Sequence, residues 1–142
     1  MKIRGQCPCG AVTYTVEGDS AAQAYCHCRS CQTAHAGPLM AVALFPAGAV
    51  TLLGETTRMS VTKRQHAATR ISCARCGTRV AVIPSGEEGD QLRGIFPALC
   101  ESKDWFRPSM HLYWEQRSIE VRDDLPKYLD EPAEFGGSGR TA

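Results

Sequence analysis

Eight cysteines in 142 residues are the part of this sequence with the greatest capacity for chemistry. Seven of them stand in three short clusters, which are Cys7 with Cys9, then Cys26, Cys28 and Cys31, and finally Cys73 with Cys76. Clustered thiols in a reducing compartment most often bind metal, and thiolate sulfur is a preferred ligand of zinc. Thiols one residue apart do not bridge easily to each other, so the spacing favours zinc over a disulfide framework.

The cluster Cys73-x-x-Cys76-Gly77 has the form of a zinc knuckle. Two intervening residues let both thiolates face one ion, and the glycine permits a tight turn that aims backbone N–H groups at sulfur. One knuckle supplies two of the four ligands that a structural zinc needs, and Cys7-x-Cys9 followed by glycine is the nearest equivalent pair. We therefore predict a structural zinc on Cys7, Cys9, Cys73 and Cys76.

The middle cluster places three thiols within six residues and has no further cysteine close to it. Three protein ligands and an open position are typical of catalytic zinc, so we predict a second zinc, with a role in chemistry, on Cys26, Cys28 and Cys31. Three thiolates leave such a site with net negative charge, which suits it to holding an incoming thiol as thiolate rather than to activating water. The residues that could close the site are His27, His35, Cys100 and His111, and the sequence leaves this choice open.

The segments that must position these clusters have mainly β patterns. Residues 11–17 alternate apolar and polar side chains, which predicts a half-buried strand with Val12, Tyr14 and Val16 facing the core. The apolar run 39–45 predicts a strand covered on both faces, joined through 46–48 as a hairpin to 50–53. Further strands are predicted at 69–72, 78–83, 92–96 and 111–114, and a short helix at 30–35. The predicted fold class is therefore mainly β, with short antiparallel strands stapled by zinc and one or two short helices.

Length, charge and hydropathy restrict the classes of protein that fit. The chain suits one domain, which we place at 1–134, followed by a flexible glycine-rich tail at 135–142 with little apolar surface to bury. Sixteen basic and fifteen acidic side chains leave a net charge of +1, which argues against nucleic acid as a partner. No apolar run suits a secretion signal or a membrane span, so we expect a cytoplasmic protein without a membrane partner.

The remaining candidate residues receive structural expectations. His27 is expected to point outward, His111 to be a satisfied core residue and Cys100 to be a small core residue. Four arginines near the cysteines are expected to offset thiolate charge or to lie in solvent: Arg29, Arg70, Arg75 and Arg79. Residues 87–88 are expected in a solvated loop. No residue beyond the zinc ligands is assigned to catalysis.

Three motifs occur in a characteristic order: Gly5-x-Cys7-x-Cys9-Gly10-x-Val12-x-Tyr14, Cys26-His27-Cys28-x-x-Cys31 and Cys73-x-x-Cys76-Gly77. Together they resemble the glutathione-dependent formaldehyde-activating enzyme family, which includes the vertebrate centromere protein V. The likeness continues through Pro108-x-x-His111 and Asp123-x-Leu125-Pro126. The resemblance implies a tent-like β fold, a structural zinc on the outer cysteine pairs and a metal that acts in chemistry on the middle three. It also implies a carbon–sulfur lyase that forms or cleaves S-hydroxymethylglutathione.

Three functions are therefore weighed. The first is an enzyme of small-thiol and aldehyde chemistry, in which the substrate sulfur attacks a carbonyl beside the second zinc. The alternative is a non-catalytic zinc module that recognises another macromolecule, which a closed second site would favour. A thiol redox or metal-relay protein is the third, supported only by the number of cysteines.

Overall fold

The computed structural model describes residues 1–60, 67–86 and 89–142. Residues 87–88, expected in a solvated loop, lie outside this part of the chain. The strands within it are β1 (Lys2–Gln6), β2 (Thr13–Glu17), β3 (Ala22–Cys26), β4 (Met40–Pro46), β5 (Val50–Leu53), β6 (Thr56–Ser60), β7 (Thr69–Cys73), β8 (Arg79–Ile83), β9 (Leu92–Ile95) and β10 (Met110–Leu112). One α-helix, α1, spans Arg29–His35. Short 3₁₀ helices lie at Ala47–Ala49, Gly89–Gln91, Pro97–Leu99, Trp114–Gln116 and Ala133–Phe135.

The chain divides into two compact units. The first contains Met1–Ala22 and Ala43–Phe106, and the second contains Gln23–Val42 and Arg107–Ala142. The chain passes from the second unit back into the first within β4. Strands account for most of the regular structure, which confirms the mainly β fold class. The domain boundary at residue 134 stays a prediction.

One sheet of the first unit has the antiparallel order β1-β2-β5. Its inward side chains follow the predicted alternation, since Val12, Tyr14 and Val16 are all buried. Gly5 of β1 stands opposite Tyr14 of β2. The Tyr14 ring lies directly over this glycine, because a Cβ added at Gly5 would meet the ring carbon Cζ at 2.3 Å.

The first unit also contains the antiparallel strand order β4-β9-β8-β7-β6. The predicted hairpin between β4 and β5 is wrong, because β4 pairs with β9 and β5 pairs with β2. A short 3₁₀ helix, Ala47–Ala49, separates the two strands. Such a connection does not reverse the chain onto itself as a two-residue hairpin turn does, so β5 leaves the sheet that β4 belongs to.

Two apolar clusters form the core of the first unit. The first surrounds Tyr14 and consists of Ile3, Tyr14, Val16, Ala43, Phe45, Ile95 and Cys100. The second carries two of the clustered cysteines and consists of Cys7, Val12, Ile71, Cys73, Val80, Ala81 and Ile83. Apolar burial of this kind contributes about 25 cal/mol per Å², so the packing of the second cluster helps to position the backbone at Cys7 and Cys73.

The second unit pairs β10 with β3 in parallel, which places His111 opposite Tyr25 and Leu112 opposite Cys26. The strands are therefore mixed rather than all antiparallel. The C-terminal residues make backbone hydrogen bonds, from Leu129 N–H to Arg140 O at 2.9 Å and from Ala142 N–H to Lys127 O at 2.9 Å. These bonds differ from the fraying expected from the glycine-rich composition. Among the described residues no helix has the length and apolar character needed to cross a membrane.

Candidate metal centres

Cys7, Cys9, Cys73 and Cys76 come together in the first unit as a four-sulfur cluster, with all sulfur atoms within 4.8 Å of one another. The Sγ atom of Cys9 lies 3.5 Å from that of Cys7 and 3.7 Å from that of Cys73. A disulfide would require about 2.05 Å. Four sulfur atoms at about 2.3 Å from a tetrahedral zinc stand roughly 3.8 Å apart. The spacing therefore fits four ligands of one ion.

The two halves of the four-sulfur cluster are built by the same backbone turn. Gly10 N–H donates to Cys7 O at 3.0 Å, and Gly77 N–H donates to Cys73 O at 2.9 Å. Both glycines lie in the left-handed region, with φ of 77° and 79° respectively. A side chain at either position would strain the turn, which explains why each cysteine pair is followed by glycine.

Hydrogen bonds to sulfur favour the thiolate forms that a metal requires. Val12 N–H donates to Cys7 Sγ at 3.4 Å, and this bond lowers the pKa of Cys7. The Thr78 hydroxyl lies 3.3 Å from Cys76 Sγ, and hydrogen bonds from Thr78 lower the pKa of Cys76 to about 6. The protein thus prepares these two sulfur atoms for binding a cation.

Cys26, Cys28 and Cys31 form a three-sulfur cluster in the second unit, again within 4.8 Å of one another. Cys26 ends β3, and Cys28 is the N-cap of α1, with its Sγ accepting a hydrogen bond from Cys31 N–H at 3.2 Å. The Sγ atoms of Cys26 and Cys31 are 3.5 Å apart. The N-cap position of Cys28 and its hydrogen bond from Cys31 N–H therefore hold these two side chains together, and the end of β3 places Cys26 beside them.

The electrostatics of the three-sulfur cluster call for a cation. The neighbouring thiols of Cys28 and Cys31, together with burial, hold the pKa of Cys26 well above its ordinary value. Three adjacent thiols cannot all ionise beside one another unless positive charge compensates them. A divalent ion with affinity for sulfur supplies that charge, so the donor set fits zinc.

The fourth-ligand candidates occupy other places. Within the described part of the chain, no other histidine, cysteine or carboxylate joins the three-sulfur cluster. His111 uses both ring nitrogens in hydrogen bonds to other side chains. Cys100 is buried in the first unit, with its Sγ 3.3 Å from the Tyr14 hydroxyl, as expected for a small core residue. The described residues thus supply three sulfur ligands at this cluster, and the exchangeable fourth position stays a prediction.

The outward orientation expected for His27 is wrong, because its side chain is fully buried, at 0% exposure. Its Nε2 lies 2.8 Å from His111 Nδ1, and His111 Nε2 lies 2.8 Å from Asp123 Oδ2. His111 is buried and fully hydrogen-bonded, which confirms the expectation for that residue. The two histidines stand 84 positions apart, so only the parallel pairing of β10 with β3 brings them together, and no local pattern around His27 could indicate it.

Tyr113 and Glu131 form a second polar pair in this unit, and no sequence motif indicated it. Tyr113 lies in the left-handed region at φ 54°, and its N–H donates to Asp130 O at 2.8 Å. Burial raises the pKa of the Tyr113 hydroxyl, and the Glu131 carboxyl and the thiols of Cys26 and Cys28 add to that effect. An aromatic residue rarely adopts positive φ, and such strain is often found near functional sites.

The arginines near the cysteines divide between core and surface. Arg70 on β7 is buried rather than in solvent, and the expectation that it offsets thiolate charge stays a prediction. Arg79 Nη1 donates to Ser72 Oγ at 2.8 Å, which joins β8 to β7. Arg75, within the knuckle, is exposed as expected. None of these contacts gives the guanidinium groups a direct part in the cysteine clusters.

The fold and the two clusters define a β-sheet protein with two sulfur sites that could hold metal ions. The glutathione-dependent formaldehyde-activating enzyme family matches residues 2–116, and the chain belongs to this family. A crystal structure of a protein from Rhodobacter sphaeroides has a similar fold, with a TM-score of 0.54 and 21% sequence identity over 70% of this chain and 88% of that chain. No curated protein was found to match the sequence. The family match stops short of Asp123, although the resemblance seen in the sequence extends that far.

Proposed function

We propose that this protein is a zinc enzyme that joins a thiol of the glutathione type to formaldehyde and catalyses the reverse cleavage of the carbon–sulfur bond. The observation that carries the proposal is the three-sulfur cluster, which supplies three of the four ligands that a tetrahedral zinc takes. Membership of a family of glutathione-dependent formaldehyde-activating enzymes supports the substrate class. On this proposal the partners are a small thiol and a small aldehyde, and the protein acts in the cytoplasm.

The two clusters have different roles in this proposal. Zinc in the four-sulfur cluster is structural, because its four protein ligands fill a tetrahedral shell. Zinc in the three-sulfur cluster supplies one chemical property when bound, which is to favour the ionised form of a substrate thiol at neutral pH. Cys26, Cys28 and Cys31 hold that ion, and the rest of the site orients the thiol toward the aldehyde.

The reaction is an addition that balances without an oxidant or a further reactant. The substrate sulfur forms a bond to the carbonyl carbon, and the carbon–oxygen π pair moves onto oxygen. The oxygen then takes up the proton that the thiol released, which gives the S-hydroxymethyl adduct. Since thiols and formaldehyde combine without help, the protein needs to contribute only ionisation of the sulfur and proximity of the two reactants.

Exchange NMR with isotope-labelled formaldehyde and glutathione tests the activity directly. Wild-type protein is expected to speed the exchange between the free and adduct pools, and Cys28→Ser is expected to abolish the acceleration together with one equivalent of zinc. Cys100→Ser is the matched control, because Cys100 is a cysteine outside both clusters and should leave exchange and metal content unchanged. An exchange rate that is the same with and without wild-type protein overturns the proposal.

A further inference from the structure

A series of hydrogen bonds through two buried imidazoles connects the exposed Asp123 carboxylate to the loop of the three-sulfur cluster. Asp123 Oδ2 lies 2.8 Å from His111 Nε2, and His111 Nδ1 lies 2.8 Å from His27 Nε2. Both imidazoles are completely buried, at 0% exposure. His27 stands between Cys26 and Cys28, so this series of hydrogen bonds ends at the segment that carries two of the three sulfur atoms.

The Asp123 carboxylate determines which ring nitrogen donates in this series of hydrogen bonds. Lys127, with its Nζ 2.8 Å from Asp123 Oδ1, and His111 hold the pKa of Asp123 well below its ordinary range. An ionised carboxylate only accepts, so His111 donates from Nε2, and a neutral His111 ring then accepts at Nδ1. His27 therefore donates from Nε2, and its Nδ1 keeps an unprotonated lone pair. In this arrangement each ring has one tautomer.

The same loop is held at its main chain as well. His27 N–H donates to Leu112 O at 2.9 Å, and Gln32 Nε2 donates to His27 O at 2.7 Å. The Trp114 ring stands edge-on to His27, with ring centroids 5.0 Å apart. With the backbone fixed on both sides, the remaining freedom of His27 is the orientation of its ring, which the hydrogen bond from the His111 side determines.

We propose that Asp123 and His111 are positioning residues for the three-sulfur cluster. They fix the tautomer and orientation of His27, and through it the separation of the Cys26 and Cys28 sulfur atoms that flank it. The inference rests on the part of the proposed function that assigns a metal to this cluster. It gives a role to Asp123 and His111, which lie in the two C-terminal motifs and bind no metal themselves. Side chains that support metal ligands in this way typically change metal affinity by about 10–100-fold when altered.

Asp123→Asn is the decisive variant, because an amide can present either an acceptor or a donor to His111 Nε2. His111 and His27 then no longer prefer a single tautomer. We expect nitrogen NMR of histidine-labelled protein to show His27 Nδ1 unprotonated in the wild type and partly protonated in D123N. We also expect cadmium NMR and chelator competition to show an affinity loss of about tenfold or more at the three-sulfur cluster, with the four-sulfur cluster unchanged.

Asp124→Asn is the matched control, since it removes a neighbouring exposed carboxylate and should alter neither readout. His111→Asn is a second variant that keeps the carboxylate and His27 but removes the ring between them, and it should give the same selective loss. Equal weakening at both clusters, or unchanged affinity at the three-sulfur cluster, overturns the positioning role. The wild-type tautomer is read in the protein as purified, so a protonated Nδ1 overturns this inference alone, whereas absence of metal from the wild-type three-sulfur cluster overturns the proposed function.

Discussion

The Thr78 hydroxyl is a single side-chain group that affects how firmly the four-sulfur cluster binds metal. Hydrogen bonds from Thr78 lower the pKa of Cys76 to about 6, against an ordinary value of about 8.5. A thiol whose folded-state pKa is depressed stabilises the fold above its unfolded pKa and loses that contribution as the pH falls through about 6. Because a bound cation favours the thiolate further, acid should release metal from this cluster at a pH below that value.

Thr78→Val removes the hydroxyl, so the pKa of Cys76 should rise toward its ordinary value. We expect the midpoint of acid-induced zinc release to move upward by roughly half a pH unit or more, measured with a zinc-binding dye. Thr78→Ser keeps the hydroxyl and should restore the wild-type midpoint. A valine variant that releases zinc at the wild-type pH would show that the hydroxyl has no influence on the bound sulfur.

At the scale of elements, the pairing of β1 with β2 depends on a close fit between Gly5 and Tyr14. A Cβ added to Gly5 would meet the buried Tyr14 ring at 2.3 Å, and the ring has no free space to move into. Gly5→Ala should therefore destabilise the metal-loaded protein by about 1–3 kcal/mol in chemical denaturation, as overpacking does. Gly48→Ala, where an added Cβ meets nothing within 4 Å, should change stability little. Equal stability of the two variants would contradict the proposed fit.

The sequence alone predicted the elements whose patterns lie within a few neighbouring residues. The alternation around Tyr14 predicted β2 and its buried face, and the short helix predicted at 30–35 coincides closely with α1. The partners of those elements were not predictable in the same way. The apolar run of β4 predicts a strand but does not indicate that β9 is its neighbour. The short parallel pairing of β10 with β3 likewise produces no periodic pattern in the sequence of either strand.

In the candidate sites, too, local features were predictable from the sequence and long-range contacts were not. The spacing of the cysteines and the glycines after two of the pairs predicted which sulfur atoms lie together, since these constraints act within a few residues. The burial of His27 was predicted wrongly, because its partner His111 is distant in sequence. Glu131 was missed for the same reason: an acidic residue near the C-terminus has no distinguishing mark until the fold places it close to the Cys28 thiol.

At the scale of the whole molecule, the four-sulfur cluster joins two parts of the chain that are 64 residues apart, at Cys9 and Cys73. A structural zinc contributes on the order of 10–16 kcal/mol, whereas a domain has a net stability of about 5–15 kcal/mol. Losing this ion should therefore unfold the first unit. The three-sulfur cluster joins residues that are neighbours in sequence, closes only a short loop and should contribute much less.

Hydrogen exchange with mass spectrometry compares the two clusters in otherwise matched variants. Cys73→Ser should lose amide protection throughout β1, β2, β7 and β8, because the second apolar cluster and these strands depend on the metal that links Cys7 and Cys9 to Cys73 and Cys76. Cys28→Ser removes a thiol in the same way but should leave those strands protected, with changes confined to α1 and the end of β3. If Cys73→Ser kept wild-type protection after zinc had been lost, the apolar clusters alone would suffice to hold the first unit, and the structural role of the metal would have to be abandoned.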